Sequence, residues 1–162
     1  MMLAVQSGYS PGILGWAVAE HGRYYAREWG FGAYFEAKVA AGMAEFLGRL
    51  DGPGNHLFRV EDDEGPMATM SLDGDDAEEG LAHLRWFIAS DRARGQGLGH
   101  RLMTATLDAA RGDGARGIYL TTFAGLGAAR RLYEKFGFRL VHEAEDMTWG
   151  PKMQEQRFEL RF

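Results

Sequence analysis

Between residues 94 and 100 the chain alternates glycine with larger residues: Arg94-Gly95-Gln96-Gly97-Leu98-Gly99-His100. The run follows an apolar, strand-like stretch over 81–89. It leads into Leu98, Leu102, Ala105 and Ala109, which recur at helical spacing. Such a strand-to-helix turn constrains what can form around it. Cβ atoms are missing where a ligand could approach the backbone. The helix that opens there presents unpaired N–H groups and the positive end of its dipole. Together these suit an anion such as a pyrophosphate, and Arg94 and Arg101 could add charge-assisted hydrogen bonds. A tight turn that binds nothing fits the same glycines. Two widespread phosphate loops are excluded: the run lacks a Gly-Lys-Ser/Thr ending, and it does not follow Gly-x-Gly-x-x-Gly after a first strand.

The periodicity on either side predicts an α/β fold. A short strand is expected at 2–6. Ser10-Pro11 signals a helix start, followed by Leu14, Ala17, Val18, His21 and Tyr25 at helical spacing, with Gly30 and Gly32 as breakers. A second helix carries Phe35, Val39, Met43, Phe46 and Leu50. Strands are expected at 56–60, 67–72 and 81–89, joined by acidic turns at 61–65 and 73–79, as an antiparallel meander. After the glycine turn come a helix, a strand at 117–122, a helix marked by Leu126, Ala129, Tyr133 and Phe136, and closing strands at 138–142 and 157–162. Strand–helix–strand order in this half implies a parallel pair with a crossover helix. The whole reads as one domain over 1–162, a mixed, mostly antiparallel sheet covered by helices.

The chain has 162 residues and a net charge of −5, so no basic field is available for nucleic acid. It has no cysteine, which removes disulfides, thiolate nucleophiles and Cys-ligated zinc. The acidic turns lack the spacing of a calcium loop, and no metal is expected. No apolar run spans a bilayer and the start lacks a signal-peptide pattern, so no membrane association and a cytoplasmic location are expected. A homodimer is the commonest assembly for such a chain.

Residues 94–99 match the Arg/Gln-x-x-Gly-x-Gly/Ala signature of the GNAT N-acetyltransferases. The strand before them resembles that family's fourth strand. Ala128-Ala129-Arg130-Arg131-Leu132-Tyr133-Glu134-Lys135-Phe136-Gly137-Phe138 resembles its last helix and the following strand. The order of elements agrees from about residue 2 to 162. A narrower likeness, through Gly15-Trp16, His21-Gly22, Tyr25-Ala26, Glu28 and Phe35-Glu36, is to acetyltransferase domains fused behind MarR-type DNA-binding domains. This sequence shows no such DNA-binding half and reads as a free-standing relative.

The resemblance implies transfer of an acetyl group from acetyl-CoA to a primary amine, of a small molecule or a protein, by direct attack in a ternary complex. A non-catalytic acyl-CoA sensor of the same fold is the alternative, and another acyl donor is a third reading. The coenzyme's pyrophosphate is expected on Arg94, Gly95, Gln96, Gly97, Leu98, Gly99 and His100. Its pantetheine arm is expected along Ile88 and Ala89, with the Ile88 N–H polarising the thioester carbonyl. Tyr133 stands where many members keep a tyrosine that protonates the leaving thiolate, though an aromatic on that apolar stripe is equally a core residue. His83 stands where several members place a general base, although a strand histidine is often structural. Alternation puts His83, Arg85 and Phe87 on one face, so Arg85 could meet an acidic group on the acceptor. His21, Tyr25, Glu28 and Trp29 are implied to wall the acceptor site, against a competing role in packing. Phe123 stands where many relatives carry an asparagine that binds pantetheine, leaving Thr122 as a weak substitute.

Overall fold

The computed structural model describes residues 3–162. The strand expected at 2–6 begins partly outside those residues. Within them it is only Gln6–Ser7 (β1), and Leu3 and Val5 instead pack as irregular chain on the core. Helix α1 spans Ile13–Trp29 and α2 spans Ala33–Gly48. Gly30, in the left-handed region at φ 70°, closes α1 by donating its N–H to Ala26 O.

Strands β2 (His56–Asp62), β3 (Gly65–Glu78) and β4 (Leu81–Ala89) form the expected meander. The expectation of a solvated acidic turn over 73–79 is corrected. β3 continues to Glu78, and the turn is only Glu79-Gly80, both at positive φ as a tight hairpin requires. The strand can carry these acids because the Asp73 side chain, 0% exposed, is neutralised where it sits. Both Arg49 terminal nitrogens reach it at 2.7 Å and Arg85 reaches it at 3.0 Å. A charge that deep in the protein is tolerable only when paired and hydrogen-bonded.

The second half is α3 (Leu98–Gly112), β5 (Gly117–Phe123), α4 (Gly127–Lys135), β6 (Arg139–Asp146) and β7 (Met153–Arg161). The seven strands make one sheet in the order β1-β2-β3-β4-β5-β7-β6. Among the described residues only β4 and β5 run parallel, joined by the α3 crossover; β7 inserts antiparallel between β5 and β6.

The parallel pair is short. β4 and β5 are matched at Leu81–Gly117, Ala82–Ile118 and His83–Tyr119, and there the register ends. β5 stays matched to β7 along its whole length, from Gly117 with Arg161 to Phe123 with Glu155. The sheet therefore splits, with β4 following β3 and β5 following β7. The groups on the β5-facing edge of β4 beyond His83 lose their strand partner.

Cores on the two faces hold the halves in place. On one face Leu98, Leu102, Met103, Leu107 and Ala110 of α3 meet Met70, Leu72, Leu84, Ile118, Leu120 and Phe158 of the sheet. On the other, Ala17, Phe35, Val39 and Met43 of α1 and α2 pack with Phe31 and Phe123. Leu102 is fully buried at the centre of the α3 face. Leu102→Ala is expected to lower unfolding free energy by about 2–5 kcal/mol. Urea denaturation checks this, and a loss under about 1 kcal/mol would contradict the packing described.

Candidate active site

The glycine turn reaches α3 through a short 3-10 turn, Asp91–Ala93. Arg92 ties that turn to the β2–β3 hairpin through Asp62 at 2.7 Å and Glu64 at 3.1 Å. The Gln96 amide donates to Arg92 O at 2.9 Å, so its side chain braces the turn. Gly95 and Gly97 lie at φ 74° and 66°, conformations that side chains rarely adopt. Gly99 is small for another reason: a Cβ there would come within 3.2 Å of both Leu132 and Phe87, so it lets α3 lie close to α4 and β4. Among the described residues no side chain caps α3, and the first backbone bond back to Gly97 O comes from Arg101, leaving the N–H groups of Leu98, Gly99 and His100 free of helical partners. Free N–H groups at the positive end of a helix dipole favour an anion. Arg94, beside it, is exposed and paired with Asp91 at 3.2 Å.

A cleft of about 930 Å³ starts at this turn and follows the split between β4 and β5. Residues 84–94 of β4 and the turn form one side; residues 120–123 of β5, the loop after it and α4 form the other. Ile88, Ala89, Arg94, Thr122 and Tyr133 of the expected coenzyme set line it. Residues 95–100, the rest of that set, follow Arg94 in the chain and do not line it. On the α1–α2 face, His21, Tyr25, Glu28, His83 and Arg85 line the same cleft.

Strand β4 does not alternate cleanly. Thr69 pairs with Ile88, but Ser71 pairs with Arg85, so β4 has one residue more than β3 between those pairs. Trp86 takes up the excess at φ 51°, a bulge. The expectation that Phe87 shares a face with His83 and Arg85 is corrected by this. Trp86 turns to the α1–α2 side, 5.6 Å from Phe46 and under the Arg85 guanidinium at 4.0 Å, whereas Phe87 packs on the α3 side against Gly99.

Tyr133 is at once a core residue and a cleft residue. It packs in the α3-side core near Phe138 and Phe158, and it lines the cleft. Burial pushes its phenol well above the ordinary value, so the proton stays on at neutral pH. Tyr25 is raised in the same way, by burial first and then by the neighbouring Tyr133 and Tyr24.

His83 lies at the last matched β4–β5 pair. Its ring stacks on Tyr119 at 4.3 Å and 12°, and its Nδ1 is 2.8 Å from Asp76 Oδ2. Burial pushes its pKa below 6.5 against the opposing effect of Asp76, with Arg85 adding to the lowering. The imidazole is therefore neutral at pH 7 and able to accept a proton. Arg85 faces the cleft, but one of its nitrogens is engaged by Asp73 and its plane by Trp86.

Trp29 is not in the cleft wall. It packs edge-on to Phe123 at 4.9 Å and against Gly125, closing α1 onto the loop after β5. Phe123, at the position where an asparagine was the expected pattern, is buried in a cluster with Tyr25, Phe31 and Trp149 and offers no hydrogen bond. Glu28 sits at the rim, bonded to Arg27 at 3.2 Å. Sequence reasoning missed Lys38 on α2 and Thr148 and Trp149 between β6 and β7, all of which line the cleft. Nothing local marks them; tertiary folding brings them there.

The profile of the acetyltransferase (GNAT) family matches residues 18–138, and the chain belongs to that family. Among curated proteins none matches the sequence. Among solved structures, the ribosomal-protein-alanine N-acetyltransferase from Brucella melitensis superposes with a TM-score of 0.78 at 16% identity, over 99% of this chain and 100% of that one. The ribosomal-protein-S18-alanine N-acetyltransferase from Escherichia coli gives 0.70 at 20% identity, over 99% and 94%. The yncA protein from Salmonella typhimurium, a candidate acetyltransferase solved with its cofactor acetyl-CoA, gives 0.78 at 12% identity, over 99% and 94%. At these identities the likeness is one of fold.

His21 is 4% exposed, with its Nδ1 2.7 Å from Ala17 O, and burial lowers its pKa to about 4. The folded state therefore takes up this proton less readily than the unfolded chain. The contribution to stability is complete above pH 6.5 and is lost as pH falls from 6.5 toward about 4. Thermal denaturation should show Tm dropping through that window, with a smaller drop in His21→Gln. Equal slopes in the two proteins would count against a buried neutral imidazole.

Proposed function

We propose that the protein is an N-acetyltransferase, built as one domain over 1–162, that moves the acetyl group of acetyl-CoA to a primary amine by direct attack. The observation that carries this is the split between β4 and β5 beyond His83 and Tyr119, which opens on a cleft lined as far as Arg94, four residues before an uncapped helix start. In this reading the pyrophosphate rests on the N–H groups that open α3, near Gly95–His100 and Arg94. The pantetheine arm then lies along the β4 edge at Ile88 and Ala89, as an added strand would, with Thr122 opposite. The backbone N–H of Ile88 is the donor to the thioester carbonyl.

The acceptor enters from the α1–α2 face, among His21, Tyr25, Glu28 and Arg85. His83, held neutral by burial, takes one proton from the ammonium. The amine nitrogen then bonds to the carbonyl carbon, and the C–S bond breaks as the intermediate collapses. The departing thiolate takes the phenolic proton of Tyr133, which the second nitrogen proton replaces. The overall yield is an amide, free coenzyme A thiol and one proton released to water.

The second reading, an acyl-CoA sensor without turnover, keeps the fold and the coenzyme groove. Phe123 favours it to the extent that it removes a contact to pantetheine. The narrower likeness to MarR-linked domains belongs with this reading. A panel of amine acceptors assayed by free-thiol release from acetyl-CoA separates the two. Tyr133→Phe should lower kcat by roughly a hundredfold with acetyl-CoA affinity nearly unchanged, since only the hydroxyl is lost. Full turnover in that variant would remove Tyr133 from the acid role, and no release with any amine would favour the sensor.

A further inference from the structure

Asp76 stands on the outer half of β3, half-exposed, yet its position is fixed from several sides. Its N–H donates to Asp73 Oδ1 at 3.2 Å, and its carbonyl accepts the Tyr119 hydroxyl at 2.7 Å. Asp73 is itself clamped by Arg49 and Arg85. The same Tyr119 whose hydroxyl holds the Asp76 backbone lies flat against the His83 ring. One aromatic thus aligns both members of the Asp76–His83 pair.

We propose that Asp76 is a positioning residue for His83, making with it a carboxylate–imidazole pair that prepares the acceptor amine. This rests on the reading of His83 as the base. Asp76 Oδ2 accepts the Nδ1–H of the ring, which leaves the lone pair on Nε2. The acceptor ammonium gives one proton to Nε2, its nitrogen keeps the electron pair, and the imidazolium that forms has Asp76 as counter-charge. The proton then passes to water and the ring returns to its starting tautomer. No other reactant is needed.

The pairing explains why burial does not leave His83 useless. Burial and Arg85 lower its proton affinity, while Asp76 and the more distant Asp73 raise it. The charged or titratable groups around the ring are Asp73 and Asp76 on β3, Arg85 on β4 and Tyr119 on β5. Arg157 of β7 lies over the Tyr119 ring at 4.1 Å and is itself paired with Glu78 and Glu159. Of these, Asp76 alone among the described residues hydrogen-bonds the imidazole.

Two measurements test the proposal. In the unaltered protein, nitrogen NMR of labelled histidine, with His83 assigned by the signal lost in His83→Gln, should show the Nδ1-protonated tautomer at neutral pH. The Nε2-protonated tautomer would overturn the proposal without any need for a variant at Asp76. In Asp76→Asn, kcat should fall roughly tenfold or more with KM for acetyl-CoA little changed. The acid limb of kcat/KM should also move to lower pH, because the imidazolium has lost its counter-charge. An acid limb that stays in place refutes the positioning role, since a purely structural contact would not move it. Should His83→Gln retain full activity, the base assignment itself fails, whatever the tautomer.

Discussion

Strands β4 and β5 share a register only as far as His83 and Tyr119, because each is committed to a different neighbour: β4 to β3 through a bulged register, β5 to β7 along its full length. A buried strand edge left without hydrogen bonds is costly. Here the edge opens on a cleft instead, where an extended ligand can supply the missing partner. The position of the other parts follows from that split. α3 crosses from one half to the other and starts four residues after Arg94, the last turn residue lining the cleft, with its first N–H groups free of helical partners. α4 brings Tyr133 to the opposite wall. The aromatic cluster around Phe123 closes α1 over the β5 side.

A second constraint is the buried carboxylate of Asp73. Leaving such a charge unpaired would cost several kcal/mol. Arg49 from the end of α2 and Arg85 from β4 prevent that, and in doing so they fasten a helix and two strands together. The arrangement fixes the Arg85 plane over Trp86 and the backbone of Asp76 beside His83. A patch that looks on paper like solvated acid is thus the part of the sheet that holds its polar groups in a set geometry.

Much of this was legible in the sequence, and the limits are physical. The period-2 runs, the helical stripes and the glycine turn gave the mixed sheet, its meander and its parallel crossover, because each signal is local. The strand ends were less legible. The run after Asp73 reads as a turn because acids are poor strand residues, whereas in the fold partners distant in sequence meet them, Arg49 at Asp73, His83 at Asp76 and Arg157 at Glu78. The bulge at Trp86 is a property of pairing with β3, so alternation along β4 alone puts Phe87 on the wrong face. Gly99 was readable as a glycine but not as a packing contact with Leu132 and Phe87. Of the site residues, His83, Arg85, Ile88 and Tyr133 do converge on one cleft, whereas Trp29 packs behind it. Asp76 could not be found from sequence, since its link to His83 crosses a hairpin whose length was misjudged.

The proposed function requires that the β4 edge and the start of α3 together hold acetyl-CoA. Amide NMR of the uniformly nitrogen-labelled protein during an acetyl-CoA titration addresses it most directly. The largest shifts and the gained exchange protection are expected on the N–H groups of residues 84–89 and of Leu98, Gly99 and His100, with α2 and β6 little affected. Binding that leaves those amides unmoved, or no binding at millimolar coenzyme, would contradict it.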